Sequence, residues 1–525
     1  MTLGVYHKEI LMTTIEYLSL STPKRILVSI ERFFIGIFVS IGKFFARLPG
    51  RIWKLLKKCS NPFYLLYDAL IHGDWMTRTN FLVFGFSQLF RKQIAKGILF
   101  LLFEAFFIFF LITVGIPNLS SLHNLGVIAC VKHRVTLEDG IELEVPLYFD
   151  NSFNILLYSI VTFVIIIIAI GLWYFSIRDA KSLQDQKRIG IYASDKTFLK
   201  NLGDKNYHFT LLSVPMVGLV VFTVIPIIFM IIIGFTNYNS YHLPPQYLFD
   251  WVGWNNYAAI FTQGGVTNNL FLKTFLEVLA WTLIWAIFAT FSNYFLGMVV
   301  ALMINAKGIK LKKVWRTILV TTIAVPQFVS LLLISRMLNT DIGIINSVLK
   351  DLGLIASNIE WLEDPLLAKV VIIIVNTWVG IPYTMLTCTG ILMNIPEDLY
   401  ESARIDGASP FKMYMKITLP YMLFVTGPYL ISSFIGNINN FNVIYLLSGG
   451  NPSFTFGGQV PPQQLVGVGR TDLLITWIYK MTMTNVFKDY GAASVLGVMI
   501  FVIVAFFSLI TYSKTNAVKN EEDFQ

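Results

Sequence analysis

Residues 394–420 read NIPEDLYESARIDGASPFKMYMKITLP. This polar stretch lies between two apolar runs, roughly 366–389 and 421–446. Each run is long enough for a helix to cross a hydrocarbon core, which takes about 20 residues. The chemistry of the stretch itself predicts two short helices joined by a sharp turn. Pro396 stands at a first-turn position, with Glu397 and Asp398 behind it at the positive end of the helix dipole. Gly407 can take the left-handed conformation that ends a helix, and Ser409-Pro410 can restart one as N-cap and first residue. Pro420 reads as a stop. A plain helix-turn-helix connector between two membrane helices would satisfy all of this.

Further apolar runs appear on both sides. The same length criterion gives about eight spans, roughly 95–114, 154–177, 209–235, 274–304, 316–338, 366–389, 421–446 and 488–512. Composition agrees: 14 % of residues are charged and 55 % hydrophobic, more apolar surface than a water-soluble fold of this size can bury. The net charge of +9 could suggest nucleic acid, but the bases fall between apolar runs, so no nucleic-acid partner is expected. Lys181, Lys187, Arg188, Lys196 and Lys200 follow the second run, and Lys307, Lys310, Lys312, Lys313 and Arg316 follow the fourth. The stretch 236–272 has no Lys or Arg, and 339–365 has Lys350 alone. The positive-inside rule then places both termini in the cytoplasm of a multi-pass bacterial cell-membrane protein. Cys59, Cys130 and Cys388 are far apart and lack metal spacing, so neither a disulfide framework nor a metal or cofactor is expected.

The organisation expected is tripartite: a cytoplasmic or interfacial extension over 1–90, two spans over 91–208, and a core over 209–525. Within the extension, 33–45 (FFIGIFVSIGKFF) is too short to span and reads as an interfacial helix. Val131–Leu137 and Ile141–Leu147 alternate around Asp139-Gly140, a hairpin signal. The 446–487 stretch, rich in Gly, Pro and Gln, reads as irregular and exposed.

The 394–420 segment also resembles the "EAA" loop of binding-protein-dependent ABC importer permeases, Glu-Ala-Ala-x3-Gly-x9-Ile-x-Leu-Pro. Glu401, Ala403, Gly407, Ile417, Leu419 and Pro420 fall at that spacing, and Ser402 replaces the second residue, a small-for-small change. The resemblance runs from about Phe209 to the C-terminus. It includes Asn376-Thr-Trp-Val-Gly-Ile-Pro-Tyr383, Asn437-Ile-Asn-Asn-Phe441 and Leu446-Leu-Ser-Gly-Gly450, which are most similar to the F-type maltose/maltodextrin permeases. It implies an all-α type I importer fold of about eight spans, here with a small external β-hairpin. It also implies a second, G-type permease, two ATPase subunits that receive the loop, an extracytoplasmic solute-binding protein and an oligosaccharide substrate. The F-type permeases carry a large folded domain in the first-half external loop, whereas 115–153 is short here, so how the binding protein docks is left open.

Two polar stripes suit a sugar. Ser433, Asn437 and Asn440 share one helical face, as do Asn376, Gly380 and Tyr383. Amide and hydroxyl groups match sugar hydroxyls, and an aromatic face matches the ring's C–H surface. The resemblance aligns Gly380, Ser433, Asn437 and Asn440 with sugar-contacting residues, with Tyr383 beside them. Interhelical hydrogen bonding is the competing role for such residues. Gln327, next to helix-kinking Pro326, is a weaker candidate. Glu104 is the one acid near the middle of a span and reads as hydrogen-bonded rather than proton-coupling.

Two other classes fit less well. An ion-driven secondary transporter would need internal repeats and mid-membrane ionisable groups. A membrane glycosyltransferase would need paired carboxylates, a metal cluster or a nucleophile motif. The chain also has no GxxxxGK[ST] loop, so a partner must hydrolyse ATP.

Overall fold

The computed structural model describes residues 62–514, apart from 131, 137–141, 147–148, 191–193, 262–265, 307 and 459. The expected interfacial helix at 33–45, Cys59 and the Asp139-Gly140 turn lie outside the described residues. Among the described residues, seven helices are long and apolar enough to cross a membrane: Ile94–Ser121, Ser152–Arg188, Tyr207–Ile233, Leu270–Asn305, Pro365–Leu392, Pro410–Ile438 and Tyr490–Leu509. A bent pair, Lys312–Ala324 with Gln327–Met337, makes an eighth. They are spans one to eight in chain order, the bent pair being span five.

Span five bends by 85°. Val325 is extended, as the residue before a proline prefers, and Pro326 brings no N–H to continue the ladder. Elsewhere proline is absorbed. The π-helical turns Leu111–Gly115, Val220–Val224 and Tyr414–Thr418 each end two residues before a proline, Pro117, Pro226 and Pro420. A proline frees the carbonyl four residues back, and the wider turn lets such a carbonyl take a donor five residues on. Pro420 is therefore not a stop, because span seven runs through it from Pro410. That span ends at Ile438, and the apolar continuation is a separate helix, Phe441–Leu447.

The chain divides into two compact units. The first comprises the described parts of Met1–Thr113 and Phe163–Met216. Here short helices Trp75–Thr79 and Phe86–Phe90 are tied to the long second span by polar groups. Asn80 donates to the Ser176 hydroxyl (2.7 Å), Gln88 to the Asp179 carboxylate (3.0 Å) and Thr77 to Gln184 (3.0 Å). Arg91 forks onto both oxygens of Asp74 (2.7 and 2.6 Å), a charge-assisted pair. Glu104 accepts from the Phe84 N–H (2.9 Å), the hydrogen-bonded role expected for it.

The second unit comprises Val114–Thr162 and the described parts of Val217–Gln525. Strands Lys132–Thr136 and Glu142–Pro146 pair antiparallel, with Thr136 opposite Glu142, as the alternation predicts. Span four packs along spans six and seven. Trp281, Trp285 and Ala289 meet Val371, Ile372 and Val375 of span six at one level, and Tyr294 and Met298 meet Met385 and Cys388 at another. Within a bilayer, association rests on close packing and interhelical hydrogen bonds. Each helix supplies a glycine to the other. A Cβ on Gly297 would lie 2.2 Å from the Thr384 hydroxyl and 3.1 Å from the Met385 amide, and one on Gly380 would lie 2.5 Å from the Asn293 amide. Gly297→Val is therefore expected to force the pair apart and cost about 1–3 kcal/mol, the usual range for overpacking. Thermal unfolding in detergent measures this, and an unchanged midpoint would contradict so close a crossing.

The 446–487 stretch departs from expectation. Leu465, Val468, Leu473, Leu474, Trp477 and Met481 are all buried in the core, and Leu474–Tyr479 is a short helix. Its glycines permit the burial: a Cβ on Gly469 would lie 1.8 Å from the Gly450 carbonyl oxygen. The Gly/Pro/Gln composition near 449–464 had masked the apolar run behind it.

Candidate functional site: the 394–420 segment and the polar faces of spans four, six and seven

Glu397–Ile405 is the first short helix of the 394–420 segment. It ends as predicted, with Gly407 at φ +70°. The Ala408 N–H donates to the Ala403 carbonyl (2.9 Å) and the Gly407 N–H to the Arg404 carbonyl (3.0 Å), the paired bonds of a Schellman C-cap. Ser409 then caps the next helix by accepting from the Lys412 N–H (3.3 Å), with Pro410 following. The Tyr400 and Thr418 hydroxyls, 2.8 Å apart, fasten the first helix to the base of span seven. Glu401, Ser402 and Gly407 are exposed, Ala403, Ile417 and Leu419 half-buried, and Pro420 exposed. Ile405 and Phe411 flank the turn at 87 % and 73 % exposure. Apolar side chains presented so fully are what a docking surface needs.

The sugar candidates fall into separate groups. Asn437 donates from its side-chain amide to Thr290 of span four (3.0 Å) and accepts on its side-chain oxygen from the Asn440 amide (3.3 Å), while its backbone carbonyl takes the Trp285 indole N–H (3.0 Å). Asn440 also caps Phe441–Leu447, accepting from Val443 N–H (3.3 Å). These bonds leave one N–H and one lone pair of each amide for another partner. Ser433 and Tyr383 both interact with Tyr429. Tyr383 is exposed. Gly380 lies against Asn293 instead. Asn376 is 5 % exposed, and its amide nitrogen has no partner; the inaccessible side-chain oxygen of half-buried Asn293 is likewise unpaired. Gln327 sits exposed at the break of span five, apart from these contacts. An apolar cavity of about 680 Å³ lined by Phe229, Ile435, Ile478, Tyr490, Gly497 and Phe501 includes none of these candidates and offers a sugar few partners.

Sequence reasoning passed over span four. Ala286, Thr290, Asn293, Gly297 and Ala301 recur every three or four residues, a small and polar stripe of the kind that seats neighbouring membrane helices. It also passed over the Asp472–Lys480 pair. Lys480 Nζ lies 2.7 Å from the Asp472 carboxylate, which also accepts from the Gly469 N–H (2.7 Å) and the Thr476 hydroxyl (2.9 Å). Burial pushes the Asp472 carboxyl above its ordinary range, against the pull of these partners.

Comparison with known proteins agrees with this architecture. The family described as "Binding-protein-dependent transport system inner membrane component" matches residues 293–514. The maltodextrin transport system permease protein MdxF of Bacillus subtilis (strain 168) is 34 % identical over 446 residues, 83 % of this chain and 95 % of the relative. The galactooligosaccharides transport system permease protein GanP of the same organism is also 34 % identical, over 83 % of this chain and 96 % of its own. The maltose/maltodextrin transport system permease protein MalF of Escherichia coli (strain K12) is 35 % identical over 280 residues, 53 % of this chain and 52 % of the relative. With these matches and the eight apolar spans among its described residues, the chain belongs to the family of binding-protein-dependent transport system inner membrane components, and is a multi-pass permease subunit of the type I ABC importer fold.

Proposed function

We propose that this permease imports maltodextrin-type oligosaccharides, taking them from an extracytoplasmic binding protein and coupling passage to ATP hydrolysis by two copies of a separate ATPase. The observation that carries the coupling role is the exposed helix–turn–helix at Glu397–Met413, which offers Ile405 and Phe411 around the Gly407 turn. Glu401, Ser402, Ala403, Gly407, Ile417, Leu419 and Pro420 form or support that docking element. A second, G-type permease completes the pathway. The charge pattern of the connections supports cytoplasmic termini, which puts the coupling segment on the cytoplasmic side. The three-part domain organisation read from the sequence stays part of this reading. Substrate class rests on the relatives, and the equal identity to a galactooligosaccharide permease supports a second reading in which galactosides are carried.

Along the pathway, Ser433, Asn437 and Asn440 of span seven, with Tyr383, Gly380 and Asn376 of span six, are the proposed sugar contacts. Gln327 is proposed to reach the sugar only when the second permease is present. The unpaired amide of Asn376 and the spare capacity of Asn437 and Asn440 favour a polar ligand over helix contacts alone. Asn437→Ala and Asn440→Ala are expected to lower maltodextrin uptake per assembled complex roughly five- to a hundred-fold, from a loss of about 1–3 kcal/mol for a missing partner. Thermal stability should fall by no more than the roughly 0.6 kcal/mol of a membrane interhelical bond. Losses of uptake that follow stability alone would assign both residues to packing. A complex that imports galactooligosaccharides but no maltodextrin would select the second substrate.

A further inference from the structure

The helix capped by Asn440 has two unlike faces. Val443, Ile444 and Leu447 are at most 1 % exposed and pack into the core beside Leu473. Phe441 and Tyr445, four residues apart on the other face, stay half-exposed. Their rings stack at 4.8 Å between centroids, 21° from parallel. Tyr479, also half-exposed, meets both edge-on from the Leu474–Tyr479 helix, at 4.8 Å from Phe441 and 5.2 Å from Tyr445. The neighbouring Tyr479 side chain raises the Tyr445 phenol above its ordinary value. Packing does not require this trio, since the core face of the same helix is already filled. The cluster lies at the end of span seven remote from the coupling segment. It begins at the residue after Asn440, the last member of the stripe Ser433–Asn437–Asn440 and the cap of this helix.

We propose that Phe441, Tyr445 and Tyr479 form an aromatic platform that takes a pyranose ring of the oligosaccharide next to the one held by Asn437 and Asn440. The negative faces of the rings attract the partly positive C–H surface of a sugar, and each phenol can both donate to and accept from a sugar hydroxyl. The pair Asp472–Lys480 fixes the platform, because Lys480 follows Tyr479 directly and is anchored on both Asp472 and the Gly467 carbonyl (3.0 Å). The proposal rests on the maltodextrin reading and adds a subsite to it.

The test is equilibrium dialysis of maltose and maltotetraose against the purified complex, permeases and ATPases together, without binding protein. Phe441→Leu and Tyr445→Leu keep apolar volume but remove a ring. They should weaken maltotetraose binding roughly two- to tenfold, the scale of an aromatic contact, and weaken maltose less. Tyr445→Phe, which restores the ring without the hydroxyl, should recover most of the loss. A purely structural cluster would move both sugars equally and in step with thermal stability, and that result overturns the platform. Wild-type complex that binds maltodextrins while the leucine variants keep its length dependence overturns the platform alone. Wild-type complex that binds no maltodextrin overturns the underlying substrate reading and the platform with it.

Discussion

Lys480→Met is expected to destabilise the protein by about 3–5 kcal/mol, the cost of removing one partner of a buried ion pair. Asp472 is 1 % exposed, and Lys480 is its cationic partner among the described residues. The Gly469 N–H and the Thr476 hydroxyl remain after the substitution, but neither supplies charge. Without the ammonium, the carboxyl must either stay ionised in an apolar setting or take up a proton. Burial already drives it toward the second course. The damage should spread beyond the pair, because Trp477 and Met481, which flank Lys480, pack with Phe271, Phe275 and Leu496 in the core of spans four and eight. The double variant Asp472→Asn, Lys480→Met should recover a large part of the loss, since it removes the uncompensated charge. Thermal unfolding of purified protein in detergent measures both. A single variant as stable as wild type would mean that the pair contributes nothing, and that the glycine contacts at Gly450 and Gly469 hold the segment unaided.

Legibility in the sequence followed the range of the interactions. Span positions depend on runs of apolar residues, so hydropathy found the eight among the described residues, including the pair broken at Pro326. The 394–420 segment depends on contacts within six residues: the Gly407 turn and the Ser409 cap are both local, and both stand where the sequence placed them. The misreadings came where distant residues decide the outcome. Asp472 is buried because Lys480 is eight residues along and because Gly450, more than twenty residues back, leaves room for its carboxylate. Nothing near Asp472 in the chain announces this. Pro420 misled for a different reason. A proline taken alone predicts a break, yet a π-helical turn just before it keeps span seven continuous. The apolar run 421–446 likewise hid a helix end, because Asn440 caps the next helix with the same side chain that the stripe argument assigned to sugar. Polar periodicity picks out a face, while the partner on that face must come from another span: Thr290 for Asn437, Asn293 for Gly380.

Gly407→Pro should uncouple the transporter while leaving the subunit inserted. Gly407 holds φ at +70°, whereas proline is confined near −65°, so the two conformations are incompatible. The substitution also deletes the N–H that Gly407 donates to the Arg404 carbonyl, one of the two bonds closing the first short helix. Beyond the flanking residues no atom stands within 4 Å of where a Cβ at this position would lie, so no steric clash within the subunit adds to the effect. The helix must therefore end elsewhere, and Ile405 and Phe411 on either side of the turn lose their relative placement. A graded series separates geometry from size. Asn, which tolerates the left-handed region, should cost least; Val, left-handed only at a penalty of roughly 1–2 kcal/mol, should cost more; Pro should cost most, about 3 kcal/mol or more. The spans themselves are remote from the turn and should assemble normally. The measurement is ATPase activity of reconstituted complexes with and without sugar-loaded binding protein, alongside uptake. Stimulated hydrolysis and uptake should fall together in the order Asn, Val, Pro, with the proline variant at the unstimulated level. Full stimulation in correctly assembled Gly407→Pro complexes would show that the turn between the two short helices is not what the ATPase reads.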